Sequence, residues 1–490
     1  MQQQQIYERA RLSRDPRFDG QFFVGVRTTG IYCRPICPAV APKSENVTFY
    51  PSAAAASEAG LRPCLRCRPE CAPGTPAWNG TSTTVLRGLR LISNGALDDG
   101  SIEQLADRLG VTSRHLRRLF TRHLGASPLA VAHTQRLHFA KRLIDQTNLP
   151  MTHIASAAGY GSVRRFNDSF RQTYGRTPRE LRRHRDDVFD SGTALSVRLA
   201  YSRPFDWRGM LGFFAGRATA GVECVRDNAY YRTVAVNGEP GVIECRHDDE
   251  RENVTLLLHG IETSQMFQVV QCVREMLDLE APITEISRQL GRDSTVGKIL
   301  RRIPGIRVPG AWDGFELTIR AILGQQVSVK AATTLAGRLA SRYGEKMRLP
   351  ASLSANSDGL ELGCLFPRPD KLARARLTDM GLVTSRAETI RRVAQATVAG
   401  DVEFDNSQDP GEFCERLQSI RGIGEWTAEY VAMRALKNPD AFPASDLGLL
   451  KAMGEEVAGA KALKQRAESW RPWRAYAALL LWGSLPGSGG

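Results

Sequence analysis

The sequence predicts a multidomain α+β protein. Three observations carry that prediction: two close cysteine pairs near the N-terminus, two successive helix-turn-helix patterns behind them, and a Gly-x-Gly turn between helix-length segments near the C-terminus. At 490 residues the chain exceeds one ordinary core, and a usual domain size of about 100–200 residues suggests three or four units. In chain order these read as a small zinc-thiolate domain (1–75), an all-α double helix-turn-helix domain (82–185), a small antiparallel β subdomain with helices (194–280) and an α-helical helix-hairpin-helix domain (281–483). A Gly/Thr/Ser-containing stretch before residue 82 and the segment Asp186–Gly192 read as linkers, and the closing Pro-Gly-Ser-Gly-Gly as a disordered tail. No fold-defining repeat is visible beyond the two helix-turn-helix patterns.

A formal net charge of +14 and a pI near 9.5 point to a polyanionic partner whose binding weakens with salt. Double-stranded DNA is the expected partner. No apolar stretch of signal-peptide or bilayer length occurs, so a membrane is not expected and the location expected is cytoplasmic, with the nucleoid. Ten cysteines are too few for a disulfide-stapled secreted fold of this length. Four of them cluster with metal-ligand spacing, and the others read as reduced, mostly buried thiols.

Those four are Cys33-x3-Cys37 and Cys64-x2-Cys67, separated by 26 residues, the pattern of two knuckles that complete a tetrahedral four-sulfur site. One Zn2+ is the expected occupant. Nearby Arg34 and Arg62 would oppose the thiolate charge, and Arg34 is also a candidate DNA contact. On spacing alone a purely structural zinc is the stronger reading. Cys71 falls outside both pairs and reads as a bystander. The runs Arg27–Pro35, Glu45-Asn46-Val47 and Arg62–Cys67 closely resemble the N-terminal domain of the Ada methylation-response regulators over about 70 residues. That resemblance implies that Cys33 accepts a methyl group from a methylphosphotriester in DNA and remains a zinc ligand as a thioether. A four-thiolate zinc carries about −2 and repels phosphate; methylation of one sulfur leaves about −1, so affinity for DNA should rise after repair.

Residues 101–124 read as a helix, a glycine turn at Gly110 and a basic second helix, and 152–174 repeat the pattern through Gly159-Tyr160-Gly161. Leu116, Leu119 and Phe120, and again Val163, Phe166 and Phe170, recur at helical spacing and are expected to face the core. Arg114, Arg117, Arg118, Arg164, Arg165 and Arg171 are left for phosphates or guanine edges. A single basic helix of this kind is often only a solvated face; the tandem pair is more specific. Through Gly175–Arg182 it resembles the AraC-type DNA-binding domain across about 100 residues, which implies site-specific transcriptional control with RNA polymerase as a further partner.

Alternating runs at Ala194–Ala200 and Asn253–Leu258 predict antiparallel strands. From about Gln265 helix-length segments follow, including Phe315–Tyr343, Pro410–Ala435 and Ser469–Trp482. In Leu417–Tyr430, Gly422 and Gly424 make a tight turn whose backbone N–H groups can approach a phosphate at a helix N-terminus. A Gly-x-Gly alone also marks ordinary helix-helix turns. Asp446, 22 residues after Gly424, alters that weighting, because a hairpin followed by an acid at this separation resembles the helix-hairpin-helix DNA glycosylase superfamily. With Ala321–Ser328 and Trp470–Trp482, the similarity is to the AlkA type, 3-methyladenine DNA glycosylase II, over roughly 194–483.

The resemblance implies that Asp446 stabilises a deoxyribose of oxocarbenium character as an alkylated purine leaves, and orients or deprotonates water. For a lone Asp the bland alternative is a helix cap. Trp426, Tyr430 and Trp482 match aromatic pocket positions that would hold a cationic purine by cation–π contact; core packing is the alternative for each, and the stronger one for Trp470 and Trp473. Two departures stand out. Trp426 occupies the place of the Schiff-base lysine of strand-cleaving relatives, which implies a monofunctional hydrolase. Gln326 stands where the best-known AlkA-type enzyme wedges a leucine into the duplex. The Pro-Cys-His-Arg motif of a second methyl acceptor does not occur. The expectation is therefore an alkylation-repair glycosylase joined to a methylation sensor and regulator. A transcription factor whose C-terminal half only holds DNA is the competing reading.

Overall fold

The computed structural model describes residues 2–72, 83–93, 95–98, 100–182, 195–354, 360–404, 408–454 and 457–485. Both expected linkers and the glycine-rich tail lie outside these residues. Near the N-terminus, β1 (Phe23–Val26), β2 (Ile31–Cys33), β3 (Val47–Tyr50) and β4 (Arg62–Pro63) form a sheet of order β3-β1-β2-β4. The parallel pairing of β2 with β4 sets Ile31 opposite Arg62 and Tyr32 opposite Pro63. It thereby brings the strand that ends at Cys33 beside the strand that ends just before Cys64.

The next module is all helix. Ile102–Arg108 and Ser113–Leu124 form the first helix-turn-helix, Met151–Ala157 and Val163–Tyr174 the second, and the long helix Pro128–Gln146 joins them. Local signals set their ends. Ser101, Thr112, Ser127 and Ser162 accept N-terminal N–H groups as caps, while Gly125 and Gly175 close the two second helices in the left-handed conformation, at φ 69° and 67°. Leu116, Phe120, Phe166 and Phe170 are fully buried and Leu119 half-buried, as their spacing predicts. Val163 is exposed instead: it is the first residue of its helix, beyond the reach of the core.

Strands β5 (Leu195–Ala200), β6 (Glu223–Arg226), β7 (Ala229–Val236), β8 (Glu239–Asp248) and β9 (Asn253–His259) make a five-stranded antiparallel sheet of order β5-β9-β8-β7-β6. Its core is continuous with that of the second helix-turn-helix: Phe139 meets Phe267 edge to face at 5.0 Å, and the Arg198 N–H donates to Gln146 at 3.0 Å. Helices dominate the remainder. The predicted segment 315–343 is two helices, Gly314–Leu323 and Val329–Tyr343, because Gln326 takes φ 57° and Ser328 caps a new start. Helices Pro410–Ser419 and Glu425–Arg434 flank the hairpin, and Arg474–Gly483 closes the bundle. No helix among the described residues is long and apolar enough to cross a membrane.

Candidate active site and zinc centre

The four sulfurs of Cys33, Cys37, Cys64 and Cys67 all lie within 4.8 Å of one another. A tetrahedral ion with metal–sulfur bonds of about 2.3 Å requires sulfurs roughly 3.8 Å apart, so the cluster fits zinc. Cys64 and Cys67 are buried and Cys33 and Cys37 half-buried, which leaves the first pair as the approachable one. The Arg34 N–H points to Cys67 Sγ at 3.3 Å. Its guanidinium is turned inward, to Asp19 and the Cys67 carbonyl, in place of the outward orientation expected of a DNA contact.

Arg114, Arg117, Arg118, Arg164, Arg165 and Arg171 are exposed on the two second helices. Arg117 reaches Glu103 at 3.5 Å and Arg118 reaches His115 at 3.0 Å. Such solvent-exposed pairs contribute little and leave the side chains free to re-engage.

In the C-terminal half, Gly422 takes φ 101°, and a Cβ there would fall 2.0 Å from Thr389 Oγ1, so the turn admits only glycine. Gly424 stands in open space and opens the helix Glu425–Arg434 without a side-chain cap. Its first N–H groups therefore face outward, where a phosphate can accept them.

That helix carries Trp426 and Tyr430, whose rings stack at 5.2 Å and 8°; Trp482 meets Tyr430 edge-on at 6.3 Å. Glu429 accepts the Phe442 N–H at 2.8 Å and tethers the loop that leads to Asp446. Asp446 caps the helix Leu447–Met453 through the Leu449 N–H at 3.0 Å. It is more than a cap, because Trp426 Nε1 donates to its Oδ2 and Trp482 Nε1 to its Oδ1, each at 2.8 Å. Two aromatic walls thus aim one half-buried carboxylate. All of them border a cavity of about 1060 Å³, room enough for a nucleoside. Exposed Gln326 stands at its rim in the left-handed conformation, beside Gln325, which is tied to the Gly422 carbonyl and Thr427 Oγ1 at 3.2 Å each. Trp470 and Trp473 are buried in the core.

Sequence reasoning missed the far wall. Arg217, Arg320 and Arg434 line the same cavity. Arg434 donates to the Tyr430 hydroxyl at 2.6 Å and Arg320 to Glu223 at 2.7 Å and Glu316 at 2.9 Å. Burial raises the Tyr430 pKa, but Arg434 and Arg217 outweigh it and the net direction is down. The Tyr430 hydroxyl accepts from the Arg434 guanidinium, which holds the ring in place against Trp426. No local motif marks these arginines; only their place on elements that fold over the hairpin helix reveals them. No lysine is among the described residues lining the cavity.

A helix-hairpin-helix with an acid held over an aromatic cavity, joined to a tandem helix-turn-helix and a four-cysteine centre, defines the class as a base-excision type of DNA-acting protein with a regulatory half. Family models agree segment by segment: metal binding domain of Ada (7–70), helix-turn-helix domain (105–184), AlkA N-terminal domain (196–313) and HhH-GPD superfamily base excision DNA repair protein (319–474). A Mycobacterium tuberculosis protein named "Probable bifunctional transcriptional activator/DNA repair enzyme AlkA" is 40% identical over 484 residues, covering 97% of this chain and 95% of its own. The chain belongs to the family of these bifunctional activator/repair proteins. DNA-3-methyladenine glycosylase 2 of Escherichia coli is 35% identical over 58% of this chain and 95% of its own length. The bifunctional activator/repair enzyme Ada of Escherichia coli is 34% identical over 39% of this chain and 50% of its own. The fold of a 3-methyladenine DNA glycosylase from Archaeoglobus fulgidus matches 58% of this chain and 97% of that one, with a TM-score of 0.51 at 24% identity.

Proposed function

We propose that the C-terminal half is a monofunctional glycosylase that hydrolyses the N-glycosidic bond of alkylated purines such as 3-methyladenine in duplex DNA. The observation that carries this reading is the carboxylate of Asp446 clamped by two indoles at a cavity large enough for an extruded nucleotide. An N3- or N7-alkylated purine is already cationic, so its departure needs little protonation. Asp446 then faces positive charge growing at C1′, and its other task is to orient water or take a proton from it. Trp426, Tyr430 and Trp482 would receive the flipped base, with Gln326 filling the gap it leaves. Gly422 and Gly424 would hold the backbone phosphate. With Trp426 in the place of the Schiff-base lysine and no lysine among the described residues lining the cavity, no Schiff base to the sugar is expected, and borohydride should trap no DNA adduct.

In the N-terminal module, one bound zinc would keep the sulfurs deprotonated at neutral pH. Cys33, half-exposed, attacks the methyl carbon of a methylphosphotriester: the S–CH3 bond forms, the CH3–O bond breaks, and the phosphate oxygen leaves with the electron pair. Backbone N–H groups of Ala39 and Arg34 engage Cys37 and Cys67, which lowers the nucleophilicity of those sulfurs. The exposed arginines of the two second helices would read promoter DNA and bring RNA polymerase to it. Two measurements test the whole reading. Chromatography of bases released from alkylated duplex should show 3-methyladenine, and mass spectrometry after exposure to methylated DNA should add one methyl group, on Cys33. A Cys33→Ser protein that still takes methyl groups from phosphotriesters refutes the sensor half.

A further inference from the structure

Arg90 stands on the helix Thr83–Ser93, outside both stretches that match the glycosylase-family models. Its guanidinium nevertheless closes a contact across 346 residues of chain, donating to the Leu436 carbonyl at 2.9 Å and to the Lys437 carbonyl at 3.2 Å. Those carbonyls follow directly on the helix that bears Trp426 and Tyr430, at an end where backbone acceptors have no intrahelical partner. Buried acceptors of this kind require one.

The socket that receives Arg90 is acidic. Burial pulls its pKa down, and Glu275, Asp278 and Glu280 of the glycosylase half oppose that. From inside that half the same helix end is held by Arg434, which donates to Pro309 and Gly310 carbonyls at 2.8 and 3.1 Å and to the Tyr430 hydroxyl. Lys437 itself is strained at φ 55°, and its side chain packs against Gly310. Around these groups lies a cavity of about 250 Å³ bordered by all three parts of the protein: Ser52 and Glu70 from the zinc module, Arg90 and His138 from the helix-turn-helix half, Glu275 and Lys437 from the glycosylase half.

We propose that Arg90 is a positioning residue for base excision: the helix-turn-helix half completes the glycosylase by clamping the end of the helix that presents Trp426 and Tyr430 to the cavity. The proposal rests on the glycosylase reading above. It makes the regulatory half a working part of the enzyme in this chain.

The test uses the full zinc-loaded chain as wild type, Arg90→Ala and Arg90→Lys, with single-turnover release of 3-methyladenine from methylated duplex measured across DNA concentrations and amide exchange followed by mass spectrometry. Misplacement of pocket groups should lower the rate at saturating DNA about tenfold in Arg90→Ala while the half-saturating concentration stays within about twofold. Exchange should accelerate in 425–437, and Arg90→Lys should recover part of both effects. An Arg90→Ala chain with the wild-type rate and unchanged exchange in 425–437 overturns the proposal, even if exchange rises in Thr83–Ser93. Should Arg90→Ala fail to fold, Arg90→Met carries the same criteria, because it keeps the apolar stem but loses every donor to the two carbonyls. A wild-type chain that releases no base refutes the glycosylase reading instead.

Discussion

Replacing Asp446 by asparagine is expected to slow base release about a thousandfold while the protein stays folded, and the hydrogen bonds explain the separation. Oδ1 accepts the Trp482 indole and the Leu449 N–H, and Oδ2 accepts the Trp426 indole. Asparagine can keep the first two with its carbonyl oxygen, and it caps helices as well as aspartate does. Its NH2 must then face the Trp426 N–H, donor against donor, at a cost of about 1–3 kcal/mol. The larger loss is charge. A carboxylate about 4 Å from a developing cation contributes about 4 kcal/mol at an effective dielectric constant of about 20. At roughly 1.4 kcal/mol per decade that is about 10³ in rate. Single-turnover release of 3-methyladenine from alkylated duplex measures the rate, and denaturant unfolding measures the stability. A folded variant whose rate stays within about tenfold of wild type refutes the electrostatic role and returns the C-terminal half to passive DNA holding.

Trp482→Phe keeps a ring but removes the donor to Oδ1; release should slow by about tenfold, the worth of one charge-assisted hydrogen bond of about 1.5 kcal/mol, with DNA affinity unchanged in a binding titration. Glu223→Gln leaves Arg232 and Arg320 short of a buried counter-charge and should destabilise the chain by about 3–5 kcal/mol in denaturant unfolding. Burial raises the Glu223 pKa, but Arg320 and Arg232 outweigh it and hold it below 4.5. Its contribution is therefore present above pH 4.5 and fades as pH falls through the depressed value, so the gap between wild type and variant should narrow in acid. Removal of zinc by a chelator should unfold the N-terminal sheet, read by limited proteolysis of residues 2–72, while base release falls less than about twofold.

Patterns carried by neighbours in sequence were legible. The cysteine spacing, the two basic helices with their glycine caps and the hairpin glycines each state a local geometry, and the structure builds each one. The gathering of Asp446, Trp426, Tyr430 and Trp482 on one cavity was legible only through family resemblance, since their separations of 20 and 36 residues encode no geometry by themselves. Asp446 caps a helix, as the plainer reading of a lone aspartate expected, and the same oxygen takes an indole, so capping does not bar it from the role proposed above. The arginine wall and Arg90 were not legible, because an arginine at the surface and one buried in a carbonyl socket look alike in sequence. The exposure of Val163 and the inward turn of Arg34 were not legible for a related reason: side-chain direction depends on a partner, Asp19, or on the end of a helix, neither of which periodicity records.

The apolar seam that joins the second helix-turn-helix to the five-stranded sheet bears on how this polypeptide can be divided. Severing the connection between residues 182 and 195 would strip cover from Phe139 and Phe267 together, so each fragment would emerge with a sticky flank and a tendency to aggregate. A regulatory half and a repair half that share a core in this way are hard to part, since recovering two free-standing products would first require polar replacements along that flank.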